Sequence, residues 1–350
     1  MKKERGFFDE EFKLEKISKL GDQLEKLNKV IDWEQFRSIL DEAFEKENKG
    51  PGGRPSFDKI LMFKILILQR LYNLSDEQIE FQINDRLSFQ RFLGLLLCDT
   101  VPDATTVWLF RDMLAQKKIA EKLFARFNKT LEEAGLIKND GVMVDATFVD
   151  APKQRNSHDE NQTIKEGKIP EEWKDKSNKK IVHKVSQKDT DARWTKKRDE
   201  THYGYKNHVK ADVGSKLIKD YTVTDASVHD STEFSGLINE DDNIVYADAG
   251  YVGKEDEFSD KVKEKVEFVI CEKGYRNHPL TDLQKLANKI KSSKRCRIEH
   301  IFGFMTNSMH GLFLRCIGKV RADFNIGLTN LVYNMCRMET LQRCCRKIFL

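Results

Sequence analysis

The chain has 350 residues, 39% hydrophobic and 34% charged. That balance excludes a disordered polyelectrolyte and suits two domains, or one domain of about 200 residues with an appendage. A net charge of only +4 excludes a uniformly basic coat, and seven cysteines without C-x-x-C or regular spacing argue against a disulfide framework and for reduced thiols in a cytosolic compartment.

The opening segment, "MKKERGFFDEEFKLEK", is charged throughout and has no cleavable-leader pattern. Ile17, Leu20, Leu24, Leu27 and Ile31 recur at spacings of three and four and predict an amphipathic helix. After Asp32, a candidate N-cap, "WEQFRSILDEAF" repeats the helical pattern, and "NKGPGGRPS", Asn48 to Ser56, reads as a turn-rich linker. "FDKILMFKILILQRLY" predicts a helix that is apolar nearly all round and hence buried; its apolar core is broken by Lys64 and is far shorter than the roughly 20 residues of a membrane span. "SDEQIEFQINDR" has Ser75 placed to cap and Asp76 and Glu77 placed to complement the helix dipole, and "SFQRFLGL" and "DATTVWLFRDMLAQ" add two helical pieces. Such a succession is compatible with a helix-turn-helix unit and equally with a plain helical domain.

From Gly141 the period changes from helical to alternating. "GVMVDATFV", "YGYKNHVKADV" and "LIKDYTVTDA" read as three strands. A short helix near Asp230 and Ser231, the strand "NIVYADAGY", the helix "KEDEFSDKVKEK" and the strand "VEFVICEK" follow, and the end is helical. The expected fold class is α/β: a ribonuclease-H-like mixed sheet at 139–350 behind an all-α N-terminal domain at 1–138. Between the first two strands a polar segment at about 152–200 is too long for an ordinary connection and is either functional or disordered. Residues 151 to 210 carry 16 Lys or Arg against 10 Asp or Glu, with Trp173, Trp194 and four histidines. A basic, aromatic segment of this kind suits a nucleic-acid backbone and its bases, and a merely solvated loop has the same composition.

Alternation puts Met143, Asp145 and Thr147 on one face of the first strand, and Ile244, Tyr246 and Asp248 on one face of a later one. Each strand thus offers one carboxylate near its end, where ligands of α/β sheets tend to sit. Glu299 interrupts a helix that is otherwise free of acids from Lys285 through Lys289, Lys291, Lys294, Arg295 and Arg297, with Arg295 one turn before it. A desolvated Asp145 needs a partner. Three carboxylates from two strands and a helix can hold two divalent cations about 4 Å apart for an in-line phosphoryl displacement, and oxygen ligands favour Mg²⁺ or Mn²⁺ over zinc. The sequence lacks a G-x-x-x-x-G-K-[ST] loop and a G-x-S-x-G elbow, and its histidines lack zinc-site spacing. Asp150 is left as a structural or supporting acid.

These residues carry a resemblance. "GGRPSFDKILMFKILILQRLYNLSDEQIEFQINDRLSFQRFLGL" and "VPDATTVWLFRDML" resemble the helical N-terminal domain of the bacterial insertion-sequence-five family of DDE transposases. "VDATFVDAP", "QKDTDARWTKK", "YGYKNHVKAD", "VTDASVHDS", "ADAGYVG" and "RCRIEHIFGFM" resemble its catalytic domain, in order. The resemblance implies a catalytic, metal-holding triad of Asp145, Asp248 and Glu299 with two Mg²⁺ or Mn²⁺ ions. It also gives Arg295 the arginine position of the superfamily signature Y-x2-R-x3-E-x6-K, whose tyrosine and lysine fall here on Ser292 and Thr306. The expected activity is cleavage at transposon ends and joining of the 3′-OH to target DNA. The expected partners are double-stranded terminal repeats and target, engaged by a homodimer or larger assembly and contacted by Arg295, Lys291, Lys294, Arg297, Lys206 and Lys210. Such a protein is expected in the prokaryotic cytoplasm, with the nucleoid and away from membranes. The rival expectation is a transposase-derived DNA-binding protein that no longer cuts.

Overall fold

Gly21 divides the first predicted helix in two. It adopts φ +93°, and Asp22 then caps a new helix by accepting from the Leu24 N–H at 2.9 Å. Helices Asp9–Lys19 and Gln23–Val30 therefore stand where the spacing predicted one. This computed structural model describes residues 8–45, 56–154, 156–174, 177–197, 199–275 and 278–348. The predicted linker, apart from Ser56, lies outside the described residues.

The other helical predictions resolve through their caps. Asp32 accepts from the Glu34 N–H at 3.1 Å and starts a 3-10 turn, Glu34–Phe36, that runs into helix Arg37–Phe44. Asp58 caps the buried helix Lys59–Leu71, Ser75 and Gln78 form a reciprocal capping box on Asp76–Asp85, and Asp103 caps Ala104–Gln116. Between the last two lies Leu87–Leu93, and Ile119–Glu133 adds a helix beyond them. Their inward faces meet in a core containing Phe36, Phe63, Phe89, Phe92 and Phe127. Lys64 is buried in the same layer, its ammonium 4.7 Å from the Phe92 ring centroid and 5.2 Å from that of Trp33.

The chain divides into two units, Met1–Leu131 with Leu328–Leu350, and Glu132–Gly327. The expected boundary at 138/139 left the whole C-terminus with the sheet. Helix Lys319–Ile348 instead begins in the second unit and continues into the first, where buried Asn334 donates from Nδ2 to Asn128 Oδ1 at 3.0 Å. Among the described residues no helix is long and apolar enough to cross a membrane.

The second unit is built on a six-stranded mixed sheet. Its strands are β1 (Val142–Asp150), β2 (Arg193–Lys197), β3 (Glu200–Asp212), β4 (Ile218–Asp225), β5 (Ile244–Ala247) and β6 (Glu267–Ile270). β1 is central, antiparallel to β3 and parallel to β5, which is parallel to β6; β2 and β4 both pair antiparallel with β3. Val142 and Val144 of β1 join Val245 and Ala247 of β5 in an apolar cluster with Phe234, Leu237, Tyr251 and Val262. Asp145 follows that buried run.

The polar segment after β1 folds instead of forming a long loop. It contains helices His158–Lys165 and Lys179–Ser186, the 3-10 turn Glu171–Lys174, and β2. Trp173, one of the two aromatics read as base-stacking candidates, is buried and donates from Nε1 to Glu160 Oε1 at 2.9 Å. Its role is to close this subassembly.

Two tests follow from the packing. Burial lowers the Lys64 pKa to about 8 from the ordinary 10.5, so the folded state binds this proton less tightly than the unfolded state. Stability should increase as pH rises from about 8 to 10.5 through this group. Lys64→Met should raise the melting temperature at pH 7 and remove that part of the pH dependence, read by thermal denaturation across pH. At Gly204 φ is +149°, and a Cβ would stand 2.3 Å from the Val149 carbonyl oxygen and 2.7 Å from the Ala151 nitrogen. Gly204→Ala should destabilise by at least about 1–3 kcal/mol, seen as a lower urea midpoint.

Candidate active site

The pairing of β1 with β5 brings the two aspartates into the same region of the sheet. Met143 is opposite Tyr246 in that parallel pair, two residues before Asp145 and Asp248 respectively, and Asp248 acts electrostatically on Asp145. β5 ends at Ala247, and Asp248 caps the 3-10 turn Ala249–Tyr251 with its Oδ1 accepting from the Gly250 N–H at 2.7 Å. A Cβ on residue 250 would stand 2.9 Å from that oxygen. Glycine lets the carboxylate fold back over its own turn.

Asp145 is mostly buried, with 19% of its side chain exposed. Its Oδ1 accepts from the Ala146 N–H at 2.8 Å and its Oδ2 from Arg295 Nη1 at 2.9 Å. Burial pushes its pKa up to about 6; the Ala146 N–H and Arg295 oppose the rise and Asp248 adds to it. Arg295 ends helix Asp282–Arg295, and its Nη2 donates to Glu299 Oε1 at 3.0 Å. The 3-10 turn Cys296–Ile298 separates that helix from Glu299–Gly303, so Glu299 opens a new helix with 61% of its side chain exposed. Burial works against the Arg295 charge, but Asp145, Glu299 and Asp248 outweigh it and raise its pKa. One guanidinium thus spans two of the three predicted acids.

Among the described residues no three His, Cys, Asp or Glu side chains converge closely enough to hold a metal ion. The chemistry of the donor set nevertheless fits a hard divalent cation. It offers carboxylate oxygens alone, and Asp145 remains under-compensated even with Arg295 against it. Arg295 holds Asp145 and Glu299 in the arrangement seen here.

The predicted phosphate contacts separate sharply. Lys206 and Lys210 lie on β3, which is flanked by β1 and β4, and both are buried. Lys206 pairs with Asp230 at 2.8 Å, and Lys210 pairs with fully buried Asp242 at 3.0 Å. In this structure these ammonium groups neutralise internal acids and do not face solvent as the DNA contacts expected of them would. Lys291 donates to the Ile270 carbonyl oxygen at 2.9 Å, and Arg297 from Nη1 to that of Val213 at 2.8 Å. Both are part-buried and tie their helical segments to the sheet unit. Lys294 is exposed, as is Lys289 five residues earlier.

Two neighbours of the acids escaped the sequence reading. Lys197 on β2 acts electrostatically on Asp145, and Tyr251 is buried at the end of the turn that Asp248 caps. Both belong to quoted motifs, "RWTKK" and "ADAGY", whose acids and overall charge drew the attention.

Residues 137–335 match the transposase DDE domain family, and residues 12–113 match the transposase domain DUF772. The chain belongs to the DDE transposases, of the insertion-sequence-four/five type. The first match spans Asp145, Asp248, Arg295 and Glu299. No solved structure matches the chain.

The cation placements predict a division that salt titration can read. Replacing Lys289 and Lys294 together with Ala should weaken binding about equally on any duplex and flatten the salt slope by roughly two units. Lys210→Met should leave that slope unchanged and lower the melting temperature, because Asp242 loses a buried partner.

Proposed function

We propose that this transposase, as a member of the insertion-sequence-five family, binds the terminal inverted repeats of its element, cleaves DNA at the transposon ends and joins the freed 3′-OH to target DNA. Asp145, Asp248 and Glu299 are its catalytic acids and would hold Mg²⁺ or Mn²⁺. The observation that carries this reading is Arg295 reaching from Asp145 to Glu299, with Asp145 on β1 and Asp248 just past the end of its parallel neighbour β5. The strand order supports a ribonuclease-H-like catalytic domain: with β2 set aside, β4, β3, β1, β5 and β6 lie side by side, and β3 alone runs against its neighbours.

When bound, the cations supply activation of the attacking oxygen and stabilisation of the leaving oxygen. Asp145, within β1, and Asp248, just past the end of β5, each accept a hydrogen bond from a backbone N–H that limits the freedom of their oxygens. Glu299 is the exposed third acid, held by Arg295. An Arg295 guanidinium released from the acids has the planar fork that matches a phosphate. Lys289 and Lys294 add sequence-independent attraction to the backbone, and the less basic helices between Ser56 and Gln116 read the terminal repeat.

Purified protein should nick terminal-repeat DNA in Mg²⁺ or Mn²⁺ and stop in excess EDTA. Glu299→Gln should abolish nicking while affinity for the repeat stays equal or rises, since a negative charge is removed near DNA. Nicking that survives EDTA would overturn the cation reading. Repeat binding by the unaltered protein without any nicking would favour the non-cutting rival.

A further inference from the structure

Tyr251 is 2% exposed, and its ring packs 4.9 Å from that of Phe234 within the apolar cluster under the sheet. Its hydroxyl is buried and has no hydrogen-bond partner among the described residues. A hydroxyl left in that state destabilises the fold, and phenylalanine would fill the same space without the penalty. Packing therefore gives no reason for the oxygen.

Its surroundings give one. The Tyr251 N–H donates to the Asp248 carbonyl oxygen at 3.2 Å, which ties the residue to the turn bearing that acid. The charges of Asp145, Asp230 and Asp248 act on the phenol. Among the described residues the only hydrogen bond to the Asp248 carboxylate is the one its Oδ1 accepts from Gly250. A donor without an acceptor thus lies in the electrostatic field of carboxylates with unused lone pairs.

We propose that Tyr251 is a positioning residue whose O–H donates to a carboxylate oxygen of the Asp145 and Asp248 pair when that pair engages a ligand, directing the remaining lone pairs outward. This inference rests on the reading of those acids as a cation-binding catalytic pair. In the arrangement seen here Arg295 holds Asp145 and the phenol waits unbonded. The fold accepts a small loss of stability to keep a donor ready for the engaged state.

The test is Tyr251→Phe in the full chain, with Mn²⁺ as the probe. Without cation its melting temperature should equal or exceed that of the unaltered protein. The Mn²⁺ concentration giving half of the thermal stabilisation should rise several-fold, and nicking of terminal-repeat DNA at saturating Mn²⁺ should fall about tenfold or more, as for loss of a hydrogen bond to a charged group. An unchanged Mn²⁺ midpoint with unchanged nicking would overturn the role of Tyr251 and leave the catalytic reading standing. A fall of several degrees without cation would also overturn it, by showing that the hydroxyl is bonded within the fold. If the unaltered protein gained no stability from Mn²⁺ and did not nick, the cation reading of the acids would fail and this inference with it.

Discussion

Asp145 sits in the central strand of the sheet with most of its carboxylate removed from water, and its ion pair with Arg295 is the constraint around which the second unit is arranged. The strand cannot shift, because β3 and β5 grip it from both sides and Gly204 leaves no room for a side chain where β3 crosses Val149 and Ala151. The guanidinium cannot arrive from solvent alone; it is carried on the last turn of helix Asp282–Arg295, whose position is fixed in part by Lys291 on the Ile270 carbonyl. The change of helix type just after Arg295 lets Glu299 start a fresh helix and meet the other end of the same guanidinium.

Two kinds of buried charge coexist in this unit, and they differ in what they permit. Lys210 and Asp242 are both sealed, and Lys219 also reaches Asp242 at 3.4 Å, so the acid keeps cationic neighbours on two sides. No solute can compete for that pair without opening the sheet. Arg295 is shared between an enclosed acid and an exposed one, and its own side chain is 17% exposed. The Lys210–Asp242 pair is hidden from solvent, and the charges that Arg295 joins face it in part.

Features whose causes are local were legible in the sequence. The capping residues Asp32 and Ser75, the alternation that puts Met143 and Asp145 on one face of β1, and the four-residue spacing of Arg295 and Glu299 each depend on chain neighbours alone. Features set by distant segments were not. Lys206 and Lys210 read as surface cations until Asp230 and Asp242, from later loops, are folded against β3. Trp173 read as a stacking surface until Glu160 and its helix closed over it. Tyr251 was overlooked because an aromatic beside a glycine looks like packing, and only the missing partner of its oxygen sets it apart.

The helix Lys319–Ile348 serves both units, which makes the helical unit discontinuous in sequence. Its first segment, up to Leu131, leaves the ribosome well before Leu331, Val332 and Met335 exist to be buried. Until then the apolar surfaces awaiting that helix have no mate, and the unit's completion requires closing a loop that contains the entire sheet. A truncated product ending within the catalytic half would therefore carry an unfinished helical unit as well. Synthesis of the last helix becomes the step that completes the helical unit, so a broken copy yields no independent N-terminal fragment with a finished core.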